Sequence, residues 1–140
     1  MIAAALGAIE AAGMRVLAVS PVRTTAPLGP SRRRYANAAA LVETKLLPAA
    51  ALSTLKRVER AFGRRAGGRP WAARVLDLDL VLWSGGCWSS AALTIPHPEF
   101  RHRDFVLGPA CAVTPAWRDP LTGLTLRQLR ARLTRPRLRS

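Results

Sequence analysis

The segment that most constrains this chain is RVLDLDLVLW at residues 74–83, where two carboxylates alternate with apolar side chains. A period of two is typical of a β-strand, in which residues i and i+2 lie on one face. A strand would place Asp77 and Asp79 side by side, roughly 6.5 to 7 Å apart at their Cα atoms. The opposite face would carry Leu76, Leu78, Leu80 and Leu82. The pattern therefore predicts a strand with a core face and an acidic face.

This pair of carboxylates needs a neutralising partner. Like charges at this separation repel, and burial against a sheet strengthens the repulsion unless a cation or hydrogen-bond donors are present. Mg²⁺ accepts one or two carboxylates and takes its other oxygens from water and phosphates, so the pair indicates a magnesium-nucleotide site. On these ten residues alone, an edge strand with a merely solvated outer face is the equal alternative.

Composition indicates one globular domain with a real core, because 49% of the 140 residues are hydrophobic and 21% are charged. No apolar run approaches the roughly 20 residues that span a bilayer. The opening MIAAALGAIEAAG has no basic n-region and carries Glu10. We therefore expect no signal peptide and a cytoplasmic protein with no membrane partner.

The net charge of +14 raises the question of a nucleic-acid binder. All but two of the basic residues are arginine, and alanine is also very frequent, a pairing that often reflects coding bias. The chain also lacks the interleaved aromatic and basic residues of a stacking surface. We therefore expect no nucleic-acid partner.

Periodicity along the rest of the chain predicts helices and strands in mixed order. Pro48 suits the first turn of a helix that Gly63 would end. The predicted helices lie at 2–12, 48–62 and 124–133, the predicted strands at 15–20, 35–44 and 74–83, the loops at 24–30 and 63–73, a turn at 84–86, extended chain at 93–100, and a turn followed by a short helix at 101–113. This order predicts an α+β fold with helices on one face of a mainly antiparallel sheet.

Five segments carry a more specific pattern: TTAPLGP at 24–30, YANAAALVET at 35–44, VERAFGRR at 58–65, RVLDLDLVLW, and LTIPHPEFRHRDFVLGP at 93–109. In this order and spacing the chain resembles the 6-hydroxymethyl-7,8-dihydropterin pyrophosphokinase family of folate synthesis over about residues 2–120. The resemblance implies a ferredoxin-like αβ sandwich. It places an N-terminally truncated family domain at 1–125, followed by a basic C-terminal helix and tail at 126–140.

The resemblance also implies an activity. Members of the family transfer the pyrophosphoryl group of ATP to the hydroxymethyl oxygen of a reduced pterin and release AMP. The implied cofactors are two Mg²⁺ ions, held by Asp77 and Asp79, with ATP as co-substrate. The implied partners are the pterin, ATP and, in some arrangements, neighbouring enzymes of folate synthesis.

Matching positions imply three sets of site residues. The catalytic set is Arg64, Arg74, Asp77 and Asp79; the nucleotide set is Lys56, Thr94, His97 and Arg103; the pterin set is Thr24, Leu28, Gly29, Tyr35, Asn37, Trp71 and Phe105. Alternatives remain for several of them. His97 could be a structural histidine between prolines, and the three aromatic residues could belong to the core or to an exposed loop. Glu59 could orient a basic partner or form a surface pair on its helix.

The match fails at some positions. The family begins with a strand that ends in Gly-Ser-Asn, and this sequence has neither, so we expect a fold that lacks the family's first strand and a chain that begins late. AAR at 72–74 replaces the family's Gly-Pro-Arg, and Ala92 stands where an arginine can reach phosphate. These departures favour a weakened enzyme or an inactive remnant that binds a pterin or a partner. The intact pair of carboxylates favours catalysis.

Overall fold

The computed structural model of the chain describes residues 1–25, 35–65 and 76–136. The described residues form four helices and six short strands, which pair antiparallel in three two-stranded sheets, and this confirms the α+β prediction. The helices are α1 (Ile2–Ala11), α2 (Pro48–Arg65), α3 (Asp104–Val113) and α4 (Leu126–Thr134), with a 3₁₀ turn at Phe100–His102. The strands are β1 (Arg15–Val19), β2 (Arg23–Thr25), β3 (Tyr35–Asn37), β4 (Ala40–Glu43), β5 (Trp88–Ser89) and β6 (Thr94–Ile95).

The ends of the helices follow local chemistry. Gly13 adopts a φ of +93° just beyond α1, as a residue after a helix C-terminus often does, and α1 (Ile2–Ala11) confirms the helix predicted at 2–12 to within one residue. Pro48 begins α2 as predicted, but the prediction that Gly63 ends it was wrong, because α2 continues to Arg65. A glycine inside a helix costs only about 1 kcal/mol and leaves the hydrogen-bond ladder intact.

The predicted strand at 35–44 is two strands with different partners. β4 pairs with β1, whereas β3 pairs with β2. Ser20 lies at the junction: its N–H donates to the carbonyl oxygen of Ala39 (2.8 Å), and its hydroxyl accepts from the Ala39 N–H (2.9 Å). Pro21 follows with no N–H to continue the ladder, so the chain leaves β1 and starts a new pair.

The loop predicted at 24–30 was wrong at its start. Thr24 and Thr25 end strand β2, opposite Ala36 and Tyr35. The sequence TTAPLGP carries its turn residues only from Pro27 onward, and two threonines are good strand formers. Residues 26–30 lie outside the described residues, so the rest of that prediction stays a prediction.

The strand predicted at 74–83 was also wrong as a strand. Residues 76–83 carry no strand pairing, and residues 74 and 75 lie outside the described part. The alternation still decides which side chains are buried: Asp77 and Asp79 are exposed, and the leucines beside them are half-buried. A period of two specifies the faces of an extended chain, but a strand also needs a neighbouring backbone.

The segment that follows confirms the predicted turn and adds a small hairpin. Gly86 has a φ of +97°, and its N–H donates to the carbonyl oxygen of Trp83 at 3.0 Å. β5 then pairs with β6, so the extended chain predicted at 93–100 includes a short strand. The turn predicted after it is the 3₁₀ turn, and the short helix is α3.

Three groups of buried side chains hold the described elements together, and one of them joins Ala5 of α1 to Val58 and Phe62 of α2. Between α1 and α2, Ile9 and Leu55 are buried beside Val16 of β1 and Val42 of β4. Phe100, Leu107 and Leu126 are fully buried where the 3₁₀ turn, α3 and α4 meet. The extended segment at 76–82 contacts all three groups, so it crosses the body of the fold. None of the helices in the described ranges has the length and hydropathy needed to cross a bilayer.

Candidate active site

Asp77 and Asp79 lie on the solvent side of the extended segment. The side chain of Asp77 is 53% exposed, and Asp79 is exposed too. Leu78 and Leu80 pack the other way, against the buried cluster between α1 and α2. Residues i and i+2 of an extended chain lie on one side, so the two carboxylates share one surface.

Two side chains of α2 hold the backbone between these carboxylates. Oε1 of Glu59 accepts hydrogen bonds from the Leu78 N–H at 2.5 Å and from Nζ of Lys56 at 2.9 Å. Nζ of Lys56 also donates to the carbonyl oxygen of Leu78 at 3.1 Å. The same nitrogen lies 3.9 Å from Oδ1 of Asp77, within reach of an ion pair. Lys56, predicted as a nucleotide contact, therefore contacts the acidic segment itself.

His97 lies beside the same segment. Its backbone N–H donates to the carbonyl oxygen of Val81 at 3.0 Å. Nδ1 of the ring accepts from the Glu99 N–H at 3.2 Å, so the neutral imidazole carries its proton on Nε2. Nε2–H can then donate a hydrogen bond to a phosphate oxygen. The structure thus brings His97 close to the acidic segment.

The other predicted nucleotide contacts lie on either side of His97. Thr94 is exposed in β6, where it pairs with Ser89. Arg103 is exposed at the N-terminus of α3, with its guanidinium carbon 5.9 Å from the centre of the Phe105 ring. These positions leave both side chains open to a ligand.

Predicted pterin contacts occupy the β2–β3 ladder and α3. Thr24 lies opposite Ala36, and Asn37 lies opposite Arg23. Nδ2 of Asn37 donates to the carbonyl oxygen of Tyr35 at 3.4 Å. Because α3 packs against β2 and β3, Phe105 lies on an element adjacent to this ladder.

Several predicted residues cannot be placed in this way. Leu28, Gly29, Trp71 and Arg74 lie outside the described residues. Arg64 lies in the last turn of α2, but its side chain is not described. Their roles stay predictions.

The paired carboxylates fit magnesium by their chemistry. Among residues 1–25, 35–65 and 76–136, no group of three or more histidine, cysteine, aspartate or glutamate side chains could hold a metal ion. A site built on two exposed carboxylates needs its other oxygens from water and a ligand, which is the way Mg²⁺ is bound with phosphates. Asp77 and Asp79 are therefore the residues that would hold it.

Sequence reasoning missed a buried ion pair close to this region. Arg101, in the 3₁₀ turn, donates through Nε and Nη2 to both carboxylate oxygens of Asp119, at 2.5 and 2.6 Å. Asp119 is 0% exposed, and the hydrogen bonds from Arg101 lower its pKa to about 2. The DPLTG motif at 119–123 is typical of a turn built on an aspartate, but it gives no sign of an arginine 18 positions earlier.

Comparison with known proteins identifies the family of the chain. The family described as 7,8-dihydro-6-hydroxymethylpterin-pyrophosphokinase matches residues 1–115. A 2-amino-4-hydroxy-6-hydroxymethyldihydropteridine pyrophosphokinase of Synechocystis is 37% identical over 118 residues, which are 84% of this chain and 60% of the relative. Its counterpart from Haemophilus influenzae is 38% identical over 108 residues, 76% of this chain and 67% of the relative.

Fused relatives also match. A mitochondrial folate synthesis bifunctional protein of Arabidopsis thaliana is 40% identical over 106 residues, 75% of this chain but 19% of the relative. The matched part thus spans 60% and 67% of the two bacterial relatives and 19% of the fused one. By the family match, the segments that carry the acidic pair and His97 lie inside the shared region. The chain belongs to the 7,8-dihydro-6-hydroxymethylpterin-pyrophosphokinase family.

Proposed function

We propose that this chain transfers pyrophosphate from ATP to the hydroxymethyl group of 6-hydroxymethyl-7,8-dihydropterin, giving the diphosphate and AMP. One observation carries the proposal: two exposed carboxylates, Asp77 and Asp79, lie on the segment to which the backbone of His97 is hydrogen-bonded at Val81. Family membership supplies the reaction and its substrates. The two carboxylates and His97 support a site for a magnesium-bound triphosphate.

Asp77 and Asp79 would hold two Mg²⁺ ions in this proposal. Magnesium bound there would withdraw charge from the phosphate under attack and neutralise the leaving AMP. The chain's own contribution is to position the phosphates. Nε2–H of His97 can donate to a phosphate oxygen, and Arg103 presents an exposed guanidinium from the start of α3. Arg64 and Arg74 are proposed to bind the same phosphates, and Thr94 the nucleotide.

The pterin is proposed to bind at the β2–β3 ladder. An amide such as that of Asn37 can form hydrogen bonds with the edge of a flat heterocycle, and aromatic rings such as Tyr35 and Phe105 can stack on its faces. The packing of α3 against both strands supports this proposal. Thr24, Leu28, Gly29 and Trp71 complete the proposed pocket.

We infer that the fold is a ferredoxin-like sandwich without the family's first strand. Side chains rather than a neighbouring strand bond both backbone groups of Leu78, which supports this inference. A partnership with neighbouring folate enzymes is supported only by the names of the fused relatives.

The proposal is tested by incubating the purified chain with Mg²⁺, ATP and the reduced pterin and measuring AMP by chromatography. Asp77→Asn and Asp79→Asn should each lower the rate by about a hundred-fold or more, since each removes a charge that holds the metal. Glu10→Gln, an exposed carboxylate on α1, is the matched control and should leave the rate unchanged. Absence of AMP from the unaltered chain at any concentration would contradict the proposal.

A further inference from the structure

Leu78 is the residue between the two carboxylates, and its backbone is held at both polar groups. Glu59 accepts from its N–H, and Lys56 donates to its carbonyl oxygen, although both side chains come from α2, about 20 positions earlier. The Lys56–Glu59 ion pair of 2.9 Å joins the two contacts. In a sheet, a neighbouring strand would make these bonds; here two side chains replace it.

This arrangement fixes more than the backbone. The Leu78 side chain packs against the buried clusters of α1 and α2, which contain Leu55 and Val58. With its side chain and both backbone groups held, Leu78 has little freedom to rotate. In an extended chain, the residues on either side of Leu78 then lie on the face opposite the buried clusters. The contacts of Leu78 thereby fix the positions of Asp77 and Asp79.

Charge gives Lys56 a second role. Its side chain is 35% exposed and its ammonium lies 3.9 Å from Oδ1 of Asp77, while the side chain of Glu59 is only 18% exposed. Glu59 therefore keeps a cation beside the acidic pair. A divalent ion arriving at Asp77 would meet that positive charge, and Coulomb repulsion between them opposes its binding.

We propose that Lys56 and Glu59 are positioning residues for the acidic pair: together they clamp the Leu78 backbone, and Lys56 acts as the counter-ion that magnesium must displace from Asp77. The part that concerns magnesium rests on the proposed function. The part that concerns the clamp does not. This role differs from a direct contact between Lys56 and the nucleotide, and the two roles predict opposite results.

The clamp is tested by amide hydrogen exchange at Leu78, followed by NMR without metal. Glu59→Ala removes the acceptor and should speed exchange at Leu78 by about ten-fold, the equivalent of one hydrogen bond. Glu59→Gln keeps an acceptor oxygen and should retain most of the protection. Glu10→Ala, on α1, should change nothing at Leu78. Unprotected Leu78 in the unaltered chain, or equal protection in Glu59→Ala, would overturn the clamp.

The counter-ion is tested by calorimetric titration with Mg²⁺ alone. Lys56→Gln should bind Mg²⁺ about two- to five-fold more tightly than the unaltered chain, as expected for removing a partly exposed charge. Lys56→Arg should behave as the unaltered chain. Unchanged or weaker Mg²⁺ binding in Lys56→Gln, accompanied by weaker ATP binding, would overturn the counter-ion role and leave Lys56 as a nucleotide contact.

The controls separate this inference from the proposed function. If the unaltered chain binds no Mg²⁺, or if Asp77→Asn binds it equally well, the proposed metal site fails and the counter-ion role fails with it. The exchange rates at Leu78 then still decide the clamp, because they are measured without metal. If Mg²⁺ binds and Asp77→Asn abolishes binding, the proposed site stands whatever the Lys56 variants show.

Discussion

Asp119 shows how much of this fold depends on single residues. Its carboxylate is fully buried and accepts from Arg101 twice, from the Thr122 hydroxyl (2.8 Å) and from the Leu121 N–H (3.0 Å). A buried charge with this many donors is tolerated because almost every lone pair is satisfied. The pair ties the loop before α4 to the 3₁₀ turn, between the proposed ATP contacts His97 and Arg103.

Asp119→Asn should lower the free energy of unfolding by about 3 kcal/mol, because it leaves the Arg101 charge without its buried partner. Urea denaturation followed by circular dichroism measures this loss. Asp104→Asn breaks the ion pair of Asp104 with Arg130 (3.2 Å), whose side chains are 48% and 36% exposed, and should cost less than about 1 kcal/mol. Equal losses for the two variants would show that burial does not determine the strength of the Asp119 pair.

The same pair predicts a dependence of stability on pH. The pKa of Asp119 is lowered from 3.8 to about 2, so its contribution to stability is fully present above pH 4 and is lost as the pH falls through 2. The unaltered chain should therefore lose about 2 kcal/mol relative to Asp119→Asn between pH 5 and pH 2. Measuring both chains by urea denaturation cancels the other carboxylates. A difference that stays constant over this range would contradict the assignment.

At the scale of the elements, the sequence predicts helices better than strand partners. Helix α2 was expected from its apolar period and Pro48, and only its last turn was missed. The segment at 35–44 has one continuous apolar pattern. It nevertheless forms two strands, because Ser20 and Pro21 lie between its two pairing strands, β1 and β2. The segment at 76–83 likewise shows the right faces without a ladder. The period of the apolar residues indicates which side chains are buried, whereas strand pairing depends on backbone groups that lie far away in the sequence.

Helix α4 offers a prediction at this scale. Thr125 accepts from the Gln128 N–H (3.1 Å), and Gln128 accepts from the Thr125 N–H (2.9 Å), which forms a capping box. Thr125→Ala should lower the free energy of unfolding by about 1 kcal/mol. Thr125→Ser keeps the hydroxyl and is the control that should retain most of the stability. Both are measured by thermal unfolding, and equal losses in both would contradict a role for the cap.

For the whole molecule, the sequence pattern predicts some residues of the proposed site but not the contacts that hold them. The two carboxylates were found by spacing and His97 by collinear motifs, because these residues lie on a few short segments. The contacts of Lys56 and Glu59 with Leu78 join segments about 20 positions apart. A lysine or a glutamate in the sequence does not indicate which backbone group its side chain will bond. Such contacts depend on how α2 packs over the extended segment.

The central claim is that Asp77 and Asp79 hold divalent metal against the phosphates of ATP. The most direct measurement is a crystal structure with Mn²⁺, an ATP analogue that cannot transfer its phosphates, and the reduced pterin, with the metal located by anomalous scattering. We predict two ions that contact oxygens of Asp77 and Asp79 at about 2.1 Å, with the analogue's phosphates completing their coordination. A bound analogue with no metal at either carboxylate would contradict the claim.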